Sequence, residues 1–273
     1  MKYALLTLVL GCSFSLHAQI KLEKLWETDT VIAIPESVYP DLKNKILYVS
    51  LIDGPGWAVD GKGGVGKMSP DGKQFDSTWI TGLNAPKGIG IRRGKMLVAD
   101  VTEIVVIDIA SGSITKKISP PGALNLNDVT VSESGIAYIS DSKAGNVWKL
   151  EGDEPELYLT QQPGVNGVKA VGSDLYIAAG KNFQKVDAQK KITPIATLPQ
   201  GGDGVEPVGN GDFIVTAWVG YIFYVHANGK VETLLETHQQ KKNTADIGYD
   251  PATQTLWVPT FNGKTVAAYR VVR

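Results

Sequence analysis

Short stretches of the chain alternate apolar and polar positions, and no long run keeps the 3.6-residue spacing of an amphipathic helix. Asn127-Asp128-Val129-Thr130-Val131 is the clearest such stretch. A polar turn, Ser132-Glu133-Ser134-Gly135, separates it from Ile136-Ala137-Tyr138-Ile139-Ser140-Asp141. Gly145-Asn146-Val147-Trp148-Lys149-Leu150 reads as a third strand and Glu156-Leu157-Tyr158-Leu159 as a fourth. Four antiparallel strands joined by turns are expected from this unit.

The same phrase recurs. Its opening falls at Glu36-Ser37-Val38, Lys87-Gly88-Ile89, Asn127-Asp128-Val129, Asn166-Gly167-Val168, Asp203-Gly204-Val205 and Ala245-Asp246-Ile247, at intervals of 51, 40, 39, 37 and 42 residues. Second strands follow near Leu47, Leu97, Ala137, Tyr176, Ile214 and Trp257. A recurrence near 40 residues with four strands per unit predicts an all-β, six-bladed β-propeller. The long first interval places an insertion or extended hairpin loop over residues 53–67. Lys21 to Thr28 and Thr265 to Val271 are expected to pair in one blade and close the ring, removing the exposed edges.

The N-terminus has the order of a secretory signal peptide: Met1-Lys2, the apolar run Ala4 to Leu10, and small residues up to Ala18. The expected domains are a leader over residues 1–18 and one propeller over 19–273, giving an exported, periplasmic or secreted protein. Val9-Leu10-Gly11-Cys12 also resembles a bacterial lipobox, which gives a lipid-anchored form through Cys12 as the alternative. The apolar run is far short of the roughly 20 residues that span a bilayer, so no transmembrane segment is expected.

Charge and rare residues narrow the chemistry. With 27 Lys plus Arg against 28 Asp plus Glu, the chain has no excess positive charge to neutralise phosphates, so nucleic acid is not an expected partner. Cys12 is the single cysteine, and His226 and His238 are the two histidines beyond the leader. A His-rich zinc site, a cysteine nucleophile and most Ser-His arrangements are thereby disfavoured. Gly61-Lys62-Gly63-Gly64-Val65-Gly66-Lys67 lacks the spacing and following helix of a phosphate loop.

In a propeller, equivalent inner-strand residues of different blades converge on one axis. The opening letters Glu36, Lys87, Asn127, Asn166, Asp203 and Ala245 therefore meet at one mouth, and their carboxylate and amide oxygens suit calcium or magnesium. These phrases resemble the gluconolactonase and regucalcin family of six-bladed propellers. Pro35-Glu36-Ser37-Val38 is similar to that family's metal-binding Glu segment, Val165-Asn166-Gly167-Val168 to its metal-binding Asn turn, and Gly202-Asp203-Gly204-Val205 to its metal-binding Asp turn. Asn127 stands where the family's substrate Asn stands, and Asn125 where its sugar-acid lactonases often carry an Arg.

The resemblance implies one divalent metal on Glu36, Asn166 and Asp203, calcium first, with zinc, magnesium or manganese as alternatives. It implies substrate contacts from Asn127 and Asn125, Asp203 as catalytic group, and hydrolysis of a small-molecule lactone or ester. The competing expectation is a non-enzymatic, NHL-like propeller that binds protein or glycan. On it, Glu36, Asn166 and Asp203 merely solvate the mouth, and each Asn-Gly or Asp-Gly is a turn. Lys87 is either a solvated channel lysine or a counter-charge to Glu36 and Asp203. Trp218 and Phe261 follow second strands and are placed to line a pocket, whereas Trp148 and Trp257 are expected in interblade packing.

Overall fold

A computed structural model describes residues 20–29 and 32–273. The expected leader, with Cys12, lies outside the described residues. The strands are β1 (Lys21–Glu27); β2 (Ile34–Asp41), β3 (Ile46–Ile52), β4 (Gly63–Met68) and β5 (Phe75–Leu83); β6 (Pro86–Arg92), β7 (Lys95–Asp100), β8 (Glu103–Asp108) and β9 (Ser113–Ile118); β10 (Leu126–Val131), β11 (Ala137–Asp141), β12 (Asn146–Glu151) and β13 (Glu154–Leu159). They continue as β14 (Val165–Val171), β15 (Asp174–Ala179), β16 (Asn182–Val186) and β17 (Ile192–Thr197); β18 (Val205–Gly209), β19 (Asp212–Ala217), β20 (Tyr221–Val225) and β21 (Val231–Glu236); β22 (Gly248–Asp250), β23 (Thr255–Pro259) and β24 (Val266–Val272).

Six four-stranded antiparallel sheets result, β2 to β5 forming the first blade and the order β1-β24-β23-β22 the sixth. The six-bladed propeller is as the alternation and spacing predict. Two short 3-10 turns, His238–Gln240 and Phe261–Gly263, are the only helical elements among the described residues. No helix among the described residues is long and apolar enough to cross a membrane.

The alternation works because every sheet is covered on both faces. On β3, Leu47, Val49 and Leu51 pack against Trp257, Val266 and Ala268 of the sixth blade, while Tyr48 between them turns to Ile89, Met96 and Val98 of the second. On β7, Leu97 and Ala99 turn to the third blade, where they meet Leu126, Ile139 and Trp148. Successive side chains on a strand face opposite ways, so a strand sandwiched between two neighbours becomes apolar at nearly every position. Each of the six interblade interfaces has its own cluster of buried residues.

Ring closure follows expectation. β1 pairs with β24 in the register Lys21↔Val272 to Glu27↔Ala267. Glu27 then accepts from Lys242 Nζ at 2.6 Å and Thr265 Oγ1 at 2.7 Å, and pairs with Lys24 as well.

One expectation changes. The first blade's extended loop is confined to residues 53–62, and Gly63-Gly64-Val65-Gly66 belongs to β4. Glycine is there for space: a Cβ on Gly64 would stand 2.2 Å from the Ile80 carbonyl oxygen, and one on Gly66 would stand 2.6 Å from the Phe75 ring. The glycines thus let β5 and its side chains lie against β4.

Candidate functional site at the channel mouth

The opening phrases are built by one recurring irregularity. In the first blade the β2–β3 register runs Pro35↔Leu51 then Val38↔Val49, so Glu36 and Ser37 together oppose Ser50. Lys87-Gly88 oppose Ala99 in the second blade, Asn127-Asp128 oppose Ser140 in the third, and Asn166-Gly167 oppose Ala178 in the fourth. In the fifth, Asp203 N donates to the Thr216 carbonyl and Thr216 N to the Gly204 carbonyl, 2.7 and 2.9 Å. A bulge of this kind re-aims a side chain out of the sheet's alternation. Here it directs the first residue of each pair to the mouth.

The second residue of each pair sets how close the inner strands come. A Cβ on Gly167 would lie 1.8 Å from the Asp203 carbonyl oxygen, one on Gly88 2.5 Å from Val129 N, and one on Gly204 2.6 Å from Ile247 N. Where the second residue has a side chain, it bonds across the gap. Asp128 accepts from Val168 N of the next blade at 2.8 Å, and from Val129 N of its own strand at the same distance, and Ser37 Oγ donates to Asp246 Oδ2 at 2.5 Å.

Glu36, Lys87, Asn127 and Asp203 are buried, 2 to 7% exposed, and Asn166 is half-buried. Six buried side-chain oxygen or nitrogen atoms among the described residues have no hydrogen-bond partner, and three of them are Glu36 Oε2, Asn166 Oδ1 and Asp203 Oδ2. Such orphaned acceptors cost free energy wherever no donor or cation reaches them. Three hard oxygens, two from carboxylates and one from an amide, fit a calcium-like ion. No group of three or more His, Cys, Asp or Glu is arranged as a metal cage among the described residues; this donor set has two such residues and is completed by the amide.

The electrostatics show how tightly the groups are gathered. Burial drives Glu36 up to about 7, with Lys87 pulling it down and Asp246 adding to the rise. Burial and the charges of Glu36 and Asp246 hold Asp203 well above the ordinary carboxylate range, against Lys87 and a hydrogen bond from Asn166. Lys87 is pushed down by burial although Glu36, Asp203 and Asp100 favour its charge. Of the two expectations for this lysine, a counter-charge is therefore the one the structure favours. Its Nζ lies 4.2 Å from the Trp57 ring centroid, so the extended loop of the first blade covers it.

Asn127 Nδ2 donates to Ser142 Oγ at 2.9 Å, which fixes the amide. Asn125 is held at the same corner by its backbone: its N–H donates to Asp141 Oδ1 at 3.0 Å and its carbonyl accepts from Ser142 N at 3.0 Å. Trp218 and Phe261 stand edge to face, 5.3 Å between centroids. His226 and His238 are engaged by neighbours of their own blade. His226 Nε2 is 3.0 Å from Glu232 Oε1, and the half-buried His238 stacks on Tyr221 at 5.1 Å.

Toward the far ends of the inner strands the channel widens into a cavity of about 200 Å³. Asp128, Asp246, Glu206, Lys169 and Tyr39 line it, and Lys169 Nζ is 2.8 Å from Glu206. Burial raises Asp128 to about 7, although the Val168 and Val129 amides pull it back. The sequence reading assigned no role to Asp128 or Asp246. Both are second letters of the phrases that supplied the mouth, and that position is the signal for them.

No family model and no curated protein matches the chain. Solved structures do. A catalytically inactive variant of virginiamycin B lyase from Staphylococcus aureus, with quinupristin, is 14% identical with a TM-score of 0.67, covering 93% of this chain and 100% of its own. A streptogramin B lyase is 11% identical at 0.64, covering 93% and 98%. A luciferin-regenerating enzyme is 14% identical at 0.65, covering 93% and 96%. At such identities the likeness establishes the shared fold across nearly the whole chain, and the gluconolactonase resemblance rests on the mouth residues themselves.

Proposed function

We propose that this protein is a metal-assisted hydrolase of a lactone or small ester, with its site at the propeller mouth. The observation that carries the reading is the set of orphaned oxygens on Glu36, Asn166 and Asp203, one from each of three blades. These residues would hold a divalent ion, calcium first by donor type. When bound, such an ion supplies Lewis-acid polarisation of an ester carbonyl and acidifies water.

The chain's own groups would do the rest. Asp203, set at the mouth beside Glu36 and Asn166, takes the proton from a water attacking the carbonyl carbon. It returns that proton to the alkoxide as the C–O bond breaks, so the group is restored each cycle. Asn127, fixed by Ser142, orients the substrate, and Asn125 borders it. The propellers it resembles bear enzyme names, which supports catalysis over a scaffold. The leader pattern of residues 1–18 supports export.

Metal analysis of the protein purified with calcium, zinc, manganese or magnesium tests the reading, followed by a screen of lactones and esters. One equivalent of a divalent ion, lost in Glu36→Ala together with hydrolysis, is expected. A protein that takes up no ion and is indifferent to chelator overturns it in favour of a scaffold.

A further inference from the structure

The mouth has two unlike halves. On the third and fourth blades it presents Asn127, Asn166 and the half-buried Ser142. On the fifth, sixth and first it presents aromatic rings as well as Asp203 and Glu36. Trp218 follows β19, Phe261 follows β23 and Trp57 lies between β3 and β4. Trp57 and Trp218 are 39 and 40% exposed, and Val219 beside Trp218 is 44% exposed. The rings make an arc in which two of them touch and the third follows Gly56 on the adjoining turn. Trp218 stacks edgewise on Phe261, a Cβ on Gly56 would lie 3.9 Å from the Phe261 ring, and Trp57 caps Lys87.

This arc is held in place. Asn243 is buried, its Nδ2 donating to the Trp218 carbonyl at 2.8 Å and its Oδ1 accepting from Asn262 N at 3.2 Å. One amide thereby ties the Trp218 turn to the Phe261 turn. Phe261 itself has φ of 45°, a conformation that bulky residues rarely adopt and that persists only where the surroundings enforce it. Two exposed tryptophans and a strained phenylalanine fixed beside buried oxygen ligands make an apolar wall, where scattered apolar residues would need no explanation.

We infer that the arc of Trp57, Trp218 and Phe261 binds the alkyl or aryl part of the substrate, making the protein selective for apolar lactones and esters over polyhydroxylated ones. The inference rests on the hydrolase reading above for the position of the carbonyl, which lies toward Glu36 and Asp203. A sugar ring seated against the arc would lose water contacts to the ring faces without replacement. Each methylene laid on the arc is worth roughly fourfold in binding.

δ-Decalactone and glucono-δ-lactone share a six-membered lactone ring and differ in an alkyl chain against hydroxyls. With the metal-loaded protein, kcat/KM at least tenfold higher for δ-decalactone is expected. Trp57→Ala and Trp218→Ala, both at exposed positions, each reduce that ratio severalfold through KM. Equal or greater turnover of glucono-δ-lactone, or a ratio unmoved by both variants, overturns the inference. Should the metal-loaded protein hydrolyse neither, the hydrolase reading falls. The arc is then judged by tryptophan fluorescence: quenching by δ-decalactone that both variants weaken upholds it, and quenching no stronger than with glucono-δ-lactone rejects it.

Discussion

Lys87 Nζ lies 4.2 Å from the ring centroid of Trp57, joining the second blade's inner strand to the extended turn of the first. The ring shields an ammonium that is 3% exposed and within electrostatic reach of Glu36 and Asp203. This tethered positive charge offsets part of the charge of the two carboxylates and opposes any second cation between them.

Lys87→Met is therefore expected to bind a divalent ion about tenfold more tightly, since removing a like charge at this range is worth on the order of 1.4 kcal/mol. Calorimetric titration of both proteins at several pH values reads the difference. Unchanged or weaker affinity contradicts the counter-charge role.

Asn127→Ala separates substrate orientation from ion binding. Metal affinity should stay within about twofold while KM rises about tenfold, equivalent to one lost hydrogen bond of roughly 1–1.5 kcal/mol. Ser142→Ala, which only frees the amide, should give a smaller rise in KM. Loss of the ion in Asn127→Ala would move this residue into the ligand set.

Gly167→Ala places a methyl group 1.8 Å from the Asp203 carbonyl oxygen. The fourth and fifth inner strands must separate, and a loss of about 3 kcal/mol or more is expected, in the range of core overpacking. Urea unfolding measures it. Gly172→Ala is a useful contrast: its Cβ would meet nothing within 4 Å, so only its φ of 58° resists substitution, and about 1 kcal/mol is expected.

The ring closure should be acid-sensitive. Burial works against the Glu27 charge, but hydrogen bonds from Lys24, Lys242 and Thr265 outweigh it and leave the group at about 2, below the ordinary 4.5. A lowered carboxylate stabilises fully above its unfolded value and loses that contribution as pH falls through its folded one. Glu27→Gln should therefore cost about 2 kcal/mol at pH 7 and almost nothing near pH 2, read by denaturant unfolding at several pH values. A penalty independent of pH would show that the ionised form is not what matters.

The blade count, strand order and closing pair were legible because two-sided burial leaves a period-two pattern and a 40-residue spacing. The mouth residues were legible as first letters of a repeated phrase. The bulge beneath them was not. Gly167 and Gly204 read as turn residues, whereas neither has positive φ and each is required by the neighbouring strand's backbone. For the same reason Gly63 to Gly66 read as loop and proved to be strand. Trp57 escaped notice because its partner, Lys87, is 30 residues away and only the folded turn brings them together.

Glu36 also sits on the seam of the circle. Its carbonyl accepts from Asp246 N at 3.0 Å, and the adjoining Ser37 reaches Asp246, 209 positions later in the chain. A polypeptide emerging from the ribosome exposes Glu36 about two hundred residues before it supplies that partner. The pocket is accordingly a late product of biosynthesis, and any chain released before its final blade carries the acidic groups without the architecture that makes them a site.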